Sequence, residues 1–94
     1  MFKKENRYVT RGVSDEVDIR LQLAMWTLID ILKDKGKVEI DYLQIFIKIQ
    51  HEQEIPKYKS VHMIDVDDIQ LDNEVKIYVI DSEEYSTMLY PSEY

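Results

Sequence analysis

The chain lacks cysteine altogether and has only two glycines, Gly12 and Gly36. The first absence excludes disulfides, thiolate metal ligands and cysteine nucleophiles, and it fits a reducing compartment. The scarcity of glycine excludes a glycine-rich phosphate loop, because two separate glycines are too few to form one. No apolar run approaches the length of about 18 residues that a membrane span needs, and the N-terminal segment lacks the apolar core of a signal peptide. We therefore expect one cytoplasmic domain over residues 1–94.

Basic residues are scarce in the last third of the chain. The formal net charge is −7; residues 65–94 hold nine acids and one lysine, whereas residues 1–11 hold four basic residues and one acid. Phosphate-backbone binding by the last third is disfavoured, because such binding gains from cations. Its acidity commonly serves solubility. The alternative is a surface that docks on a basic partner or imitates nucleic acid, with Asp67, Asp68, Glu83 and Glu84 as candidate residues.

Residues 18–35 predict the organising helix of the domain. Asp18 is placed to cap its N-terminus, and Gly36 supplies the left-handed position that follows its C-terminus. The apolar residues at helical spacing on one side are Leu21, Ala24, Met25, Leu28, Ile29 and Leu32.

A second apolar stripe, formed by Ile19, Leu23 and Trp26, makes the apolar arc of this helix wider than one packed sheet requires. Two alternatives follow. The N-terminal and C-terminal segments of the same chain fold over the stripe, or it forms a homodimer or partner surface with Trp26 as its anchor.

In much of the rest of the chain, apolar and polar residues alternate as is typical of strands. We predict strands over residues 6–13, 38–53, 58–64, 74–80 and 85–90, with hairpin connections at 55–57 and 81–84. In the second strand, Leu43, Ile45, Ile47 and Ile49 are expected to face the helix. The order β-α-β-β-β-β predicts an α+β domain with a mostly antiparallel sheet of four to five strands and one main helix packed across it.

The two histidines, His51 and His62, are the only candidates for a metal site. If Pro56 and Lys57 are the central residues of a hairpin, the two histidines lie opposite each other, with Cβ atoms about 4.5–5.5 Å apart. No carboxylate sits at a matching offset, so two paired surface histidines are favoured over a metal site. The acidic stretch 65–72 lacks the glycine and the terminal glutamate of a calcium loop. We expect no catalytic residue, no cofactor and no metal, hence a protein that is not an enzyme.

Three blocks together resemble a known family: RYVTRGV at residues 7–13, LQLAMWTLID at 21–30 running on to DYLQIF at 41–46, and TMLYPSEY at 87–94. The family is one of short Firmicutes proteins catalogued as a domain of unknown function. Its members occur in staphylococci and related genera, including on staphylococcal cassette chromosome elements and phage-like regions. The resemblance implies an accessory protein of a mobile element, among neighbours that bind DNA or block host enzymes by mimicking it. It implies no activity, cofactor or catalytic residue.

The first hypothesis is therefore a non-enzymatic protein-interaction module that binds a protein partner or forms a homodimer. Its candidate surface comprises Arg11, Trp26, Asp67, Asp68, Glu83, Glu84 and Tyr94. The alternative is a nucleic-acid-associated accessory protein that uses the basic segment from Lys3 to Arg11. The third hypothesis is a small hydrolase or metal-dependent enzyme with its site at the histidine pair.

Overall fold

The computed structural model describes residues 2–36, 39–47, 50–61 and 76–94. Within them, the chain forms six strands of one sheet and two α-helices, followed by a short 3₁₀ helix. The elements in chain order are β1 (Arg7–Val9), α1 (Arg11–Glu16), α2 (Ile19–Lys35), β2 (Leu43–Ile47), β3 (Gln50–Gln53), β4 (Tyr58–Val61), β5 (Lys76–Asp81), β6 (Ser86–Leu89) and the 3₁₀ helix (Pro91–Glu93).

The sheet is mixed. Its strand order is β1-β6-β5-β2-β3-β4, with β1 parallel to β6 and every other pair antiparallel. The prediction of an α+β domain with one main helix is confirmed, but the prediction of four to five strands in the order β-α-β-β-β-β is wrong. The additional strand arises because predicted strand 38–53 is two strands, β2 and β3, which pair with Ile47 opposite Gln50.

The main helix has the predicted ends. The Asp18 carboxylate accepts a hydrogen bond of 2.8 Å from the Arg20 amide, which satisfies a first-turn donor. Gly36 follows the last turn with φ +63°, in the left-handed region that glycine adopts without strain. Local sequence is sufficient to predict both ends of this helix, because the cap and the terminating glycine act within four residues of it.

The predicted strand 6–13 is wrong beyond Val9. The Thr10 hydroxyl accepts a hydrogen bond from the Val13 amide and caps α1, so that the helix begins at Arg11, two residues after β1 ends. The threonine cap outweighs the β-branched content of Val9 and Val13. The short helix places Val13 in the core, where it is fully buried.

The core lies between the two helices and one face of the sheet, which we call the helix face. On the sheet side it is formed by Phe46, Ile77, Val79 and Met88. On the other side it is formed by Phe2, Val13, Val17, Leu21, Met25, Trp26 and Ile29. Burying each of the larger aliphatic side chains stabilises the fold by about 1.5–3 kcal/mol.

The predicted facing of β2 is wrong. Phe46 and Gln44 point to the helix face, and Ile45 points the other way. Both sets of alternating positions in this strand carry apolar side chains, so alternation alone leaves the choice of face open. The Phe46 ring decides it, because it fills the space beside Ile77 under the helices. Ile49 lies outside the described residues.

The condition under which the two histidines would lie opposite each other is not met. His51 lies opposite Ser60, because Gln53 pairs with Tyr58 and four residues, 54–57, form the connection. The hairpin connection around Pro56 is confirmed, but two additional turn residues shift the register by two positions. His62 lies outside the described residues.

Candidate docking face

The face of the sheet opposite the helices, which we call the outer face, carries a row of apolar side chains across its centre. Ile45, Tyr78 and Leu89 are register neighbours on β2, β5 and β6. In the part of the chain that the structure describes, both α-helices pack on the helix face, so no α-helix crosses this row. Tyr94, which follows the 3₁₀ helix, packs against this row with its ring edge-on to Tyr78 at a centroid distance of 6.3 Å. Ile45 and Leu89 are each only 8% exposed.

Tyrosines dominate the outer face and its margin. Tyr8 and Tyr85 pack edge to face with their ring centroids 5.9 Å apart. Tyr42 makes a side-chain hydrogen bond with Tyr94, and this bond raises the pKa of Tyr42. The side chains of Tyr8, Tyr42, Tyr85 and Tyr94 remain about half exposed or more. Tyrosine is enriched at protein interfaces, because its ring provides apolar area and its hydroxyl a hydrogen bond.

Two hollows flank the ridge that Tyr78 and Tyr94 form. The first, which we call the lysine hollow, has a volume of about 450 Å³. Its lining comprises Ile45, Glu52, Gln53, Glu54, Lys57, Tyr58, Lys59, Lys76 and Tyr78. The second, which we call the tyrosine hollow, has a volume of about 370 Å³. Its lining comprises Thr10, Ile80, Ser82, Tyr85, Thr87, Leu89, Glu93 and Tyr94.

An acidic turn, residues 82–85, borders the tyrosine hollow. The turn connects β5 to β6 and is closed by a 2.8 Å hydrogen bond from the Ser82 amide to the Tyr85 carbonyl. Glu83 has φ +73°, and both Glu83 and Glu84 are exposed. Ser82, Tyr85 and Tyr94 line one hollow. The structure therefore brings Tyr94 close to the two ends of the turn that carries the predicted Glu83 and Glu84, although neither glutamate is among the described lining residues. The hairpin connection predicted here is confirmed.

Trp26 lies on the other side of the sheet from the acidic turn and the outer face, in the core. Only 8% of Trp26 is exposed, and the Arg7 guanidinium lies 4.8 Å above the centre of its ring. The first of the two alternatives for the second stripe therefore holds for Trp26, because the N-terminal segment of the same chain covers it. Ile19 and Leu23 stay exposed on α2.

Arg7 is held by internal partners. Its two terminal nitrogens donate to the two carboxylate oxygens of Asp30, and one of them also donates to the Phe2 carbonyl at 2.7 Å. Only 13% of the Arg7 side chain is exposed. The basic segment from Lys3 to Arg11 thus has one guanidinium fewer for an external anion than its sequence suggests.

Arg11 lies on α1 and is almost fully exposed, with its guanidinium 3.7 Å from Asp15. Since Trp26 lies in the core and Tyr94 on the outer face, the structure does not bring Arg11, Trp26 and Tyr94 onto one surface. Asp67 and Asp68 lie outside the described residues.

Sequence reasoning missed Tyr8, Tyr78 and Tyr85, and it missed the lysines of the lysine hollow. A signal was present in β5, where Lys76, Tyr78 and Ile80 alternate with the buried Ile77 and Val79. This alternation alone did not identify the docking face, because the face forms only when neighbouring strands bring these side chains together, and the sequence did not reveal the strand pairing.

The described residues also contain a buried polar cluster on the helix face. The Gln44 amide donates to the Gln53 side-chain oxygen at 2.8 Å, and Nε2 of His51 lies 2.6 Å from the Gln44 side-chain oxygen. The His51 ring stacks on Phe46 with a centroid distance of 4.4 Å. Because the three polar side chains are almost fully buried and bond to one another, we assign them a structural role.

The described residues contain no group of three histidine, aspartate or glutamate side chains placed to hold a metal ion. Among the helices within the same residues, none combines the length and apolar character needed to cross a membrane.

Residues 6–93 match the model of the family described as "Staphylococcal protein of unknown function (DUF960)". The chain belongs to this family. A crystal structure of a protein of unknown function from Enterococcus faecalis is similar to this DUF960 chain, with a TM-score of 0.80 and 21% sequence identity. The alignment covers 100% of this chain and 98% of that chain. No curated protein sequence matches significantly.

The family match confirms the resemblance to an uncharacterised Firmicutes family. At 21% identity the Enterococcus structure shows a shared fold, and the shared fold leaves the function to be argued from the surface of the DUF960 chain itself.

Proposed function

We propose that this DUF960 protein is a non-enzymatic protein-interaction module that docks through the outer face and the acidic turn. The observation that carries the proposal is the group of exposed tyrosines, Tyr8, Tyr42, Tyr85 and Tyr94, on and beside the outer face, around an apolar row that no described α-helix covers. Tyrosines that combine exposed ring area with a hydroxyl edge are enriched at protein-binding sites. The cytoplasm is the proposed location, since the chain has no cysteine.

The acidic turn indicates a partner that presents positive charge. Glu83 and Glu84 adjoin the tyrosines at one end of the outer face, and the chain as a whole has a net charge of −7. Complementary charge increases the association rate and suppresses wrong partners, while the buried aromatics supply most of the binding energy. An accessory protein of a mobile element that competes for a basic host protein, as a DNA mimic does, fits this surface and the family resemblance.

Nucleic acid is the alternative partner, through the basic N-terminal segment. This alternative has weaker support, because Arg7 is nearly buried and paired with Asp30. Lys3, Lys4 and Arg11 remain exposed. Three cations beside an acidic surface provide little of the counterion release on which phosphate-backbone binding depends.

The test is capture of partners from a staphylococcal lysate on the immobilised protein, with and without nuclease. We expect a nuclease-resistant protein partner. A variant with Tyr85→Ser and Tyr94→Ser should retain about tenfold less of it, because two aromatic anchors are lost. A matched control with Ile19→Ser and Leu23→Ser removes exposed apolar side chains from α2 and should retain the partner.

Equal recovery with the outer-face variant and with wild type would contradict the proposal. Recovery that disappears on nuclease treatment would instead favour the nucleic-acid alternative. In that case binding should weaken steeply with added salt.

A further inference from the structure

The outer face has opposite charges on its two flanks. The lysine hollow is lined by three lysines, Lys57, Lys59 and Lys76, over a floor that includes Ile45 and Tyr78. Lys59 has a partner in Glu52 at 3.8 Å, and Glu54 is the second acid among the described lining residues. The acidic turn carries Glu83 and Glu84, and the described residues that line the tyrosine hollow beside it include no lysine or arginine. An acidic protein thus has, beside the apolar row of its outer face, a hollow in which three described lysines face two glutamates.

The acidic turn cannot reach the lysine hollow of its own molecule. Lys76 begins β5 and Asp81 ends it, so the turn and Lys76 are separated by about 17 Å along the strand. Lys59 lies on β4, three strands away from β5 in the sheet, which corresponds to about 14 Å. The two charged flanks therefore stay apart within one molecule, although their charges are complementary.

We propose that the occupant of the outer face is a second copy of this chain, with the acidic turn of each copy seated in the lysine hollow of the other. The arrangement is a two-fold, face-to-face dimer, since turn and hollow lie on the same face and each copy offers both. This inference rests on the proposed function, and it names the partner that the docking face takes.

Each part of the two flanks has a role in this dimer. Glu83 and Glu84 meet Lys57 and Lys76 of the other copy, and Tyr85 contacts the apolar floor of the hollow. The ridge of Tyr78 and Tyr94 lies between the two hollows, where it packs near the two-fold axis and leaves the ion pairs at the margin of the interface. Central aromatic anchors with charged pairs around them are the usual arrangement of a specific interface.

The experiment is sedimentation velocity on the purified protein and two charge-reversed variants. Wild type should form a dimer that dissociates more readily at about 1 M salt than at about 0.1 M, because salt screens the ion pairs at its margin. The turn variant, Glu83→Lys with Glu84→Lys, should weaken the dimer at least about tenfold. The hollow variant, Lys57→Glu with Lys76→Glu, should do the same.

Mixing the two variants provides the decisive measurement. In a mixed dimer, the lysines of the altered turn meet the glutamates of the altered hollow, and the native turn of one chain meets the native hollow of the other. The mixture should therefore recover the wild-type dissociation constant within about threefold. A control with Lys33→Glu and Lys35→Glu on α2 changes the net charge as the hollow variant does, and it should leave the dimer intact.

A wild-type protein that is monomeric up to about 100 μM, where a dimer of micromolar affinity would have formed, would overturn the inference. A dimer that is insensitive to both reversals, or a mixture that shows no recovery, would overturn it as well. A monomer that still captures a lysate protein through Tyr85 and Tyr94 would overturn only the dimer and leave the proposed function standing. If the wild-type protein neither forms the dimer nor captures a lysate protein through Tyr85 and Tyr94, the proposed function is contradicted too.

Discussion

Arg7 lies between α2 and the N-terminal segment, where its guanidinium covers Trp26 and pairs with both oxygens of Asp30. Replacing Asp30 by Ala leaves a nearly buried cation without its counter-charge. We expect the free energy of unfolding to fall by about 2–3 kcal/mol, somewhat below the cost of breaking a fully buried pair. Urea unfolding followed by circular dichroism measures it.

Asp34→Ala is the matched control for this change, since Asp34 is an exposed carboxylate four residues further along the same helix. We expect its effect to stay within about 0.5 kcal/mol. Equal effects of the two substitutions would show that the Arg7–Asp30 pair contributes nothing beyond a surface charge.

Tyr90 connects the segment after β6 to α1, and its hydroxyl donates to a Glu16 carboxylate oxygen at 2.8 Å. Burial of the ring, together with this bond, raises the pKa of Tyr90 to about 12. The unfolded chain loses the phenolic proton near pH 10, whereas the folded chain keeps it to higher pH. The stabilising contribution of Tyr90 is therefore fully present below pH 10 and is lost as the pH rises towards 12.

The test compares wild type with Tyr90→Phe, which removes the hydroxyl. At pH 8 the variant should be less stable by about 1 kcal/mol, the contribution of one hydrogen bond. The difference should shrink between pH 10 and 12, as the folded and unfolded wild-type chains approach the same protonation. A difference that is constant over this range would contradict the raised pKa.

At the scale of elements, α2 presents one face to the core and another to solvent. Leu21 is fully buried, whereas Leu23, two residues later, is 58% exposed. We expect Leu21→Ala to lower the free energy of unfolding by about 3 kcal/mol, because it leaves a cavity under the helix. Leu23→Ala should change it by less than about 0.5 kcal/mol. Thermal and urea unfolding of the two variants check this difference.

The β2–β3 hairpin is held to the segment before it by Gln53. The Gln53 side-chain oxygen accepts hydrogen bonds from the Asp41 amide, at 3.0 Å, and from the Gln44 side chain. The Gln53 side-chain nitrogen donates to the carbonyls of Glu39 and Pro56. Gln53→Ala leaves several of these buried groups without partners. We expect a loss of about 2–4 kcal/mol in urea unfolding.

Gln50→Ala serves as the control for Gln53, because Gln50 is only half-buried and bonds to the neighbouring Glu52 side chain. Its loss should remain below about 1 kcal/mol. If the two glutamines prove equivalent, the buried cluster does not fix the hairpin.

At the scale of the whole molecule, the core and the outer face lie on opposite sides of the sheet. Trp26, the only tryptophan, belongs to the core. Docking on the outer face should therefore leave the wavelength of its fluorescence maximum unchanged, whether the partner is another protein or a second copy. Fluorescence spectra across the association range check this. A shift that accompanies binding would indicate instead that the docking surface lies on the helix side of the molecule and has Trp26 as its anchor.

The sequence by itself determined the features that a few neighbouring residues control. Asp18 and Gly36 define the main helix, and Pro56 with its neighbours defines a hairpin connection, because caps and turns act over three or four residues. The acidic turn was found in the same way. Thr10 carried a comparable signal, but the β-branched residues around it favoured the wrong element.

Only the tertiary structure decided which side chains meet. The face of β2, the partner of His51 and the cover of Trp26 each depend on residues far away in the sequence: Ile77, Ser60 and Arg7. A shift of one residue in strand register exchanges the two faces of a strand, and no local pattern forbids it when both faces carry apolar residues. The outer face therefore exists as a site only once six strands have been aligned, since its tyrosines and lysines come from segments that the sequence keeps apart.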